Sequence, residues 1–208
     1  MVIVTRFAAR RFCTPCRASS RGLRLPGNEP RPARWRVFFA LLPDAATRAA
    51  LAELEAGLPS GGRRIPEANL HITLAFVGQC GEEELACLCR AASAIETRPF
   101  ALVLDRLRVF RRSGVLWLGS SQAEPALGAW REALVAELAG HCGIRADSGT
   151  WIPHVTLRRN WRRPPPAVPL QPLVWQGDGR FFLMCSEPCP EGGVRYLPLA
   201  VFPRTGAA

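Results

Sequence analysis

One tetrapeptide occurs twice in this chain, and it limits the fold more than any other feature. Residues 71–74 read HITL and residues 154–157 read HVTL, so the two copies use two of the three histidines in 208 residues. Successive side chains of a strand point to opposite faces. Each copy therefore predicts a strand with one polar and one apolar face. His71 and Thr73 share the first polar face, and His154 and Thr156 share the second. Ile72 and Leu74, like Val155 and Leu157, turn to a core. Within each copy the imidazole and hydroxyl stand about 7 Å apart, at roughly 3.3 Å per residue. A fold for this chain must place such a strand twice.

The periodicities around the copies supply a frame. RVFFALL (36–42) predicts a strand, followed by Asp44 as the N-cap of a helix with Leu51, Leu54 and Leu58 on one face. NLHITLAFVG (69–78) is a second strand, and GEEELACLCRAASAI (81–95) a helix whose Glu82, Glu83 and Glu84 suit the positive end of its dipole. FALVLDRLRVF (100–110) and GVLWLGS (114–120) read as two strands joined by a turn at Ser113 and Gly114. Leu127, Trp130, Leu134 and Leu138 recur at helical spacing within residues 124–140. WIPHVTLRR (151–159) is a strand, the proline-rich stretch 162–172 an irregular connection, and RFFLMCSE and VRYLPLAVF the closing strands. The order β, α, β, α, β, β, α, β, β, β implies an α+β fold. Residues 35–208 are expected to form a domain of two related lobes with one histidine motif in each.

The net charge of +10 invites a nucleic-acid partner, since positive surface attracts phosphate. Its distribution tempers that inference. Residues 1–34 hold eight arginines and one acid, Glu29, which leaves the rest of the chain nearly balanced. That segment has no sustained apolar period and is expected to be a disordered basic extension. Its composition also fits an arginine-rich transit leader or a misplaced translation start. No apolar run reaches the roughly 18 residues of a membrane span, so a soluble, cytoplasmic chain is expected. The eight cysteines follow no secretory signal and read as mostly reduced thiols. Cys13 and Cys16 form a CxxC without two further ligands at suitable spacing, which argues against zinc there.

A single histidine in an apolar strand is more often structural than catalytic. The duplication, with threonine at the same offset and leucine after it, points to a shared task. Histidine titrates near pH 6.5, so a facing pair can hold one neutral base and one protonated acid near neutrality. Threonine hydroxyls can donate to phosphate oxygens. Two such strands across a cleft would fit a phosphodiester between base and acid without a metal or other cofactor. His141, near a helix end, reads as structural or surface. Trp117 and Trp130 fit core positions, whereas Trp151, Trp161 and Trp175 are candidates for stacking on a base. Arg162 and Arg163 read as solvated surface.

With RVFFALLPD ahead of the first motif, LHITLAFVG around it, and PHVTL followed by RRN at the second, residues 35–202 resemble the 2H phosphoesterase superfamily. The likeness is to its RNA 2',3'-cyclic phosphodiesterase branch, whose members are also called 2'-5' RNA ligases. It implies a bilobal fold of two pseudo-symmetric antiparallel lobes, with helices outside and a positively lined central cleft. It also implies His71 as proton donor, His154 as proton acceptor, and Thr73 and Thr156 on the phosphate. Arg159 matches the arginine of the family pattern and would bind substrate; Arg158 is assigned to the opposite face. The implied reaction opens a terminal 2',3'-cyclic phosphate to a 2'-phosphomonoester, and with an RNA 5'-hydroxyl as nucleophile in place of water the same site would reversibly form a 2',5' linkage without ATP. The partner is RNA with a cyclic phosphate end or a cyclic nucleotide, acted on by a monomer with no membrane attachment. A noncatalytic RNA-binding module, or a hydrolase of another cyclic phosphate or 2',5' oligonucleotide, would use the same residues.

Overall fold

Apolar runs alternate with capped helices through much of the chain, and the computed structural model follows them over residues 34–122, 124–145, 150–190 and 192–203. The expected extension up to residue 33, with Cys13 and Cys16, lies outside the described residues. The described elements begin with β1 (Trp35–Leu41), α1 (Ala45–Ala56), β2 (Arg63–Arg64), a 3-10 turn (Glu67–Asn69), β3 (Ile72–Cys80) and α2 (Glu82–Ser93). They continue with β4 (Phe100–Leu104), β5 (Arg106–Phe110), β6 (Val115–Gly119), α3 (Pro125–Cys142), β7 (His154–Arg159), β8 (Leu173–Gly177), β9 (Phe181–Pro188) and β10 (Val194–Phe202).

Local chemistry explains the helix ends. Asp44 accepts from the Thr47 backbone N–H at 2.7 Å and so starts α1. Glu84 reaches back to the Gly81 N–H at 2.6 Å at the start of α2. Pro125 occupies the first turn of α3, where no helical N–H partner is needed, and Gly143 closes it in the left-handed region at φ 64°. The inner faces of these helices, including Leu51, Leu88, Leu127, Leu134 and Leu138, are buried in one cluster with Ile72, Leu74, Val155 and Leu157. Burying each such side chain stabilises the fold by about 2 kcal/mol. Among the described residues no helix is long and apolar enough to cross a membrane.

The strands form an antiparallel sheet in the order β10-β9-β1-β3-β7-β6-β5, with β2 also on β7, and a separate ribbon of β4 and β8. β1 and β3 pair along their length, but β3 meets β7 at a single residue pair, Ile72 with Val155. The sheet therefore parts into two lobes there, each carrying one motif strand. The lobes are not successive halves of the chain. The C-terminal β9 and β10 join the lobe of β1 and β3, and β2 crosses to β7.

Several expected elements differ. The stretch 100–110 is two strands, because Asp105 turns away to accept from the Ser121 N–H and hydroxyl at 2.6 and 2.5 Å. β4 then pairs with β8 while β5 stays on the main sheet. β2 and β8 were not expected, and residues 151–153 precede β7 rather than extending it. Not all thiols are reduced: Cys87 and Cys142 form a disulfide between α2 and α3. Cys80 and Cys185 are unbonded and buried, and burial pushes the Cys80 thiol up to about 11. Such thiols stay protonated and unreactive at neutral pH.

Candidate active site

The site is built around the Ile72–Val155 pair. Both residues are fully buried, so the neighbours on either side point to the opposite face of the sheet. Those neighbours are His71 and Thr73 in one strand and His154 and Thr156 in the other, all partly exposed. Continuing the antiparallel register by one step puts His71 across from Thr156 and Thr73 across from His154. The two imidazoles then lie on a diagonal of about 7–8 Å, which leaves room for a phosphate between them. The duplicated tetrapeptide is thus two halves of one site, related by a pseudo-twofold axis through the central pair.

Each ring is held by the same device. His71 donates from Nδ1 to the Asn69 carbonyl at 2.6 Å, and His154 from Nδ1 to the Ile152 carbonyl at 2.7 Å. The acceptor is two residues upstream in both motifs. This assigns the neutral tautomer with the proton on Nδ1 and leaves Nε2 as the acceptor nitrogen. Nε2 of His71 lies 3.1 Å from the Thr73 hydroxyl. Aromatic rings flank each imidazole: Phe38 and Tyr196 stand 5.0 and 5.1 Å from His71, and Phe110 and Trp117 stand 5.1 and 5.5 Å from His154.

Burial is the leading cause that lowers both histidine pKa values, and it outweighs the carbonyl bonds that raise them. His71 falls to about 4, with the fields of His154 and Arg159 adding to the effect. Both rings are therefore neutral in the free protein at pH 7. An anion in the cleft would oppose the lowering and favour imidazolium.

Arg158 and Arg159 do face opposite ways, but plain alternation is not the reason. Counting from His154 by twos would send Arg158 to the cleft. Thr156 pairs with Trp117 and Arg158 with Leu116, so Leu157 is an extra residue on β7 that reverses the alternation after it. Arg158 is 5% exposed and bonds Glu55 Oε1 at 2.6 Å and the Pro59 and Gly61 carbonyls at 2.8 Å. Arg159 is exposed on the cleft side, close enough for its charge to reach His71.

The stacking candidates are occupied otherwise. Trp175 is 1% and Trp161 3% exposed, and the Trp151 indole donates to the Thr73 carbonyl at 3.0 Å. Trp117, a buried residue as expected, also packs on His154. His141 pairs with Glu137 on the surface. Arg163 donates to the Ser60 carbonyl. Sequence reasoning missed Asn69, whose Nδ2 donates to Val194 O at 2.6 Å and whose Oδ1 accepts from the Tyr196 N–H at 3.0 Å. That amide clamps β10 beside His71 and holds Tyr196 against its ring. The sequence carries no signal of that role, since both partners lie more than 100 residues away along the chain. A cavity of about 270 Å³ between the start of α1 and β8 contains none of the motif residues. Among the described residues, no cluster of three His, Cys, Asp or Glu could hold a metal ion.

A family model described as LigT-like phosphoesterase matches residues 41–117. The RNA 2',3'-cyclic phosphodiesterase of Escherichia coli is 31% identical over 170 residues, spanning 79% of this chain and 93% of that protein. The chain belongs to the LigT-like phosphoesterases. A second relative with the same description, from Thermus thermophilus, is 33% identical over 172 residues, 76% of this chain and 85% of its own. The crystal structure of E. coli LigT complexed with 3'-AMP is similar with a TM-score of 0.70 at 30% identity, covering 81% of this chain and 97% of that one. The family-model match to this LigT-like phosphoesterase includes His71 and Thr73 and ends before His154. The structural likeness, over most of the chain, extends the relation to the second half.

Proposed function

We propose that this chain is an RNA 2',3'-cyclic phosphodiesterase that opens a terminal 2',3'-cyclic phosphate to a 2'-phosphomonoester. The observation that carries the reading is the pair of Nδ1-anchored imidazoles on one face, flanking a threonine pair around Ile72 and Val155. Both sequence relatives bear that activity in their descriptions.

In the proposed reaction, Nε2 of His154 takes a proton from a water whose oxygen bonds to phosphorus. The bond from phosphorus to the ribose 3'-oxygen breaks, and His71 delivers the proton on its Nε2 to that oxygen. Thr73, Thr156 and Arg159 hold the phosphate oxygens. A low pKa makes the His71 imidazolium a strong acid, and the substrate's own negative charge supplies the condition for forming it. With an RNA 5'-hydroxyl as nucleophile in place of water, the same displacement forms a 2',5' linkage without ATP as the P–O3' bond breaks. Each step uses only these side chains and water, and we place the protein in the cytoplasm as a monomer whose catalytic domain is residues 35–208.

The test is hydrolysis of a 2',3'-cyclic nucleotide and of a short RNA with a cyclic phosphate end, in EDTA, with the product phosphate located. Wild type should form the 2'-phosphate, and His71→Ala and His154→Ala should each lose about 100-fold or more. Binding without turnover by wild type would replace the enzyme with a noncatalytic RNA-binding module. Activity lost in EDTA and restored by one added metal would contradict the two-histidine mechanism.

A further inference from the structure

Beside the catalytic groups, four arginines meet in two cross-strand pairs. Arg63 of β2 is opposite Arg159 of β7, and Arg64 is opposite Arg158. Directly paired residues of an antiparallel ladder project from the same face, and like charges so placed repel. The inner pair shares one counter-charge, because Arg64 and Arg158 both ion-pair with the buried carboxylate of Glu55. The outer pair has no such counterpart. Arg63 and Arg159 are exposed, and among the described residues no carboxylate stands within ion-pairing distance of either. Uncompensated forks so placed suit phosphate groups, whose oxygen pairs accept bidentate guanidinium bonds.

The position of the pair says which phosphate. β2 and the start of β3 lie along the same edge of β7: Ile72 is opposite Val155, and Arg63 opposite Arg159. With His71 beside Thr156, Arg63 stands three residues further along that edge, about 10 Å away. Its guanidinium turns towards Gly193, while the charge that reaches His71 is that of Arg159, so Arg159 serves the phosphate between the imidazoles and Arg63 suits the adjacent one on a nucleic-acid strand. The Arg63 guanidinium lies beside the β9–β10 turn, its Nη1 4.0 Å from where a Cβ on Gly193 would stand.

We propose that Arg63, next to the Arg159 assigned to the reacting phosphate, forms a second anion subsite that binds the phosphodiester on the 5' side of the terminal cyclic phosphate. The inference rests on the cyclic phosphodiesterase reading and adds to it that the preferred substrate has at least two nucleotides. Arg63 is a specificity residue that touches substrate remote from the reacting atoms.

The experiment compares kcat/KM for a 2',3'-cyclic mononucleotide and for a tetranucleotide ending in a 2',3'-cyclic phosphate, at several salt concentrations. Wild type should prefer the tetranucleotide about tenfold or more. Arg63→Gln should bring that ratio close to one, and Arg63→Lys, which keeps the charge but not the fork, should fall between. The slope of log kcat/KM for the tetranucleotide against log salt should become shallower by about 0.7 in Arg63→Gln, one phosphate contact on a single strand. Equal treatment of the two substrates by wild type would overturn the subsite while leaving the phosphodiesterase intact. So would an equal loss on both substrates in Arg63→Gln, which would put Arg63 at the reacting phosphate or in the fold. Turnover of neither substrate by wild type would remove both readings together.

Discussion

Arg158 and Arg159 are adjacent and identical in kind, yet one is buried against Glu55 and the other faces the cleft. Their substitution should separate stability from activity. Arg158→Ala leaves Glu55 with only the exposed Arg64 as a partner, so it should cost about 3 kcal/mol, seen as a lower melting temperature. Arg159→Ala should leave melting nearly unchanged and lower kcat/KM about tenfold. Equal melting losses in both would contradict the opposed orientations. A second expectation concerns pH. Because both histidine pKa values lie below 6.5 in the free protein, the form with one proton on the pair is populated on the acid side of 6.5 and depleted as pH rises. The kcat/KM profile, which reports the free enzyme, should therefore peak below pH 6.5. The kcat profile should peak at higher pH, because the bound phosphodiester raises the imidazolium pKa. Coincident profiles would show that burial does not govern the titration. The motif residues were legible because His and Thr at an offset of two must share a face in a strand. Tyr196 and Asn69 were not, because their roles arise from contacts across more than 100 residues of chain.

At the scale of elements, the helices were legible from their caps and apolar spacing, and α3 buries all four residues that its periodicity singled out. The strands were harder to read. Both sides of Asp105 keep a strand pattern, so nothing in the periodicity marks the change of partner from β8 to β6. β8 follows a proline-rich stretch and looks like more of the same loop. The bulge at Leu157 was invisible for a different reason: it exists only relative to the partner strand. The α2–α3 disulfide likewise depends on helix packing that brings Cys87 and Cys142 to a Cα separation of 5.9 Å. Cys142→Ser, or reduction of the purified protein, should lower stability by about 4 kcal/mol, since 55 residues separate the linked positions. A melting temperature insensitive to reductant would show that the tie contributes nothing.

For the whole molecule, the α+β class and the two-lobed plan were readable from element order and from the doubled motif. The exchange of β2, β9 and β10 between lobes was not, since neighbours in a sheet need not be neighbours in sequence. We expect a chain starting at residue 34 to keep the melting temperature and kcat of the full chain, because β1 begins at Trp35; loss of either would assign residues 1–33 a part in the domain. The pseudo-twofold axis through Ile72 and Val155 has a further consequence. Two identical subunits meeting on a true axis would each contribute the same histidine in the same surroundings, and their free-state proton affinities would be equal by symmetry. Joining both halves in one chain removes that equality. His71 rests on Phe38 and Tyr196, and His154 on Phe110 and Trp117. A repeated unit can thus hold its two imidazoles in unlike surroundings before any substrate arrives, a difference that the sequence nearly hides and the packing creates.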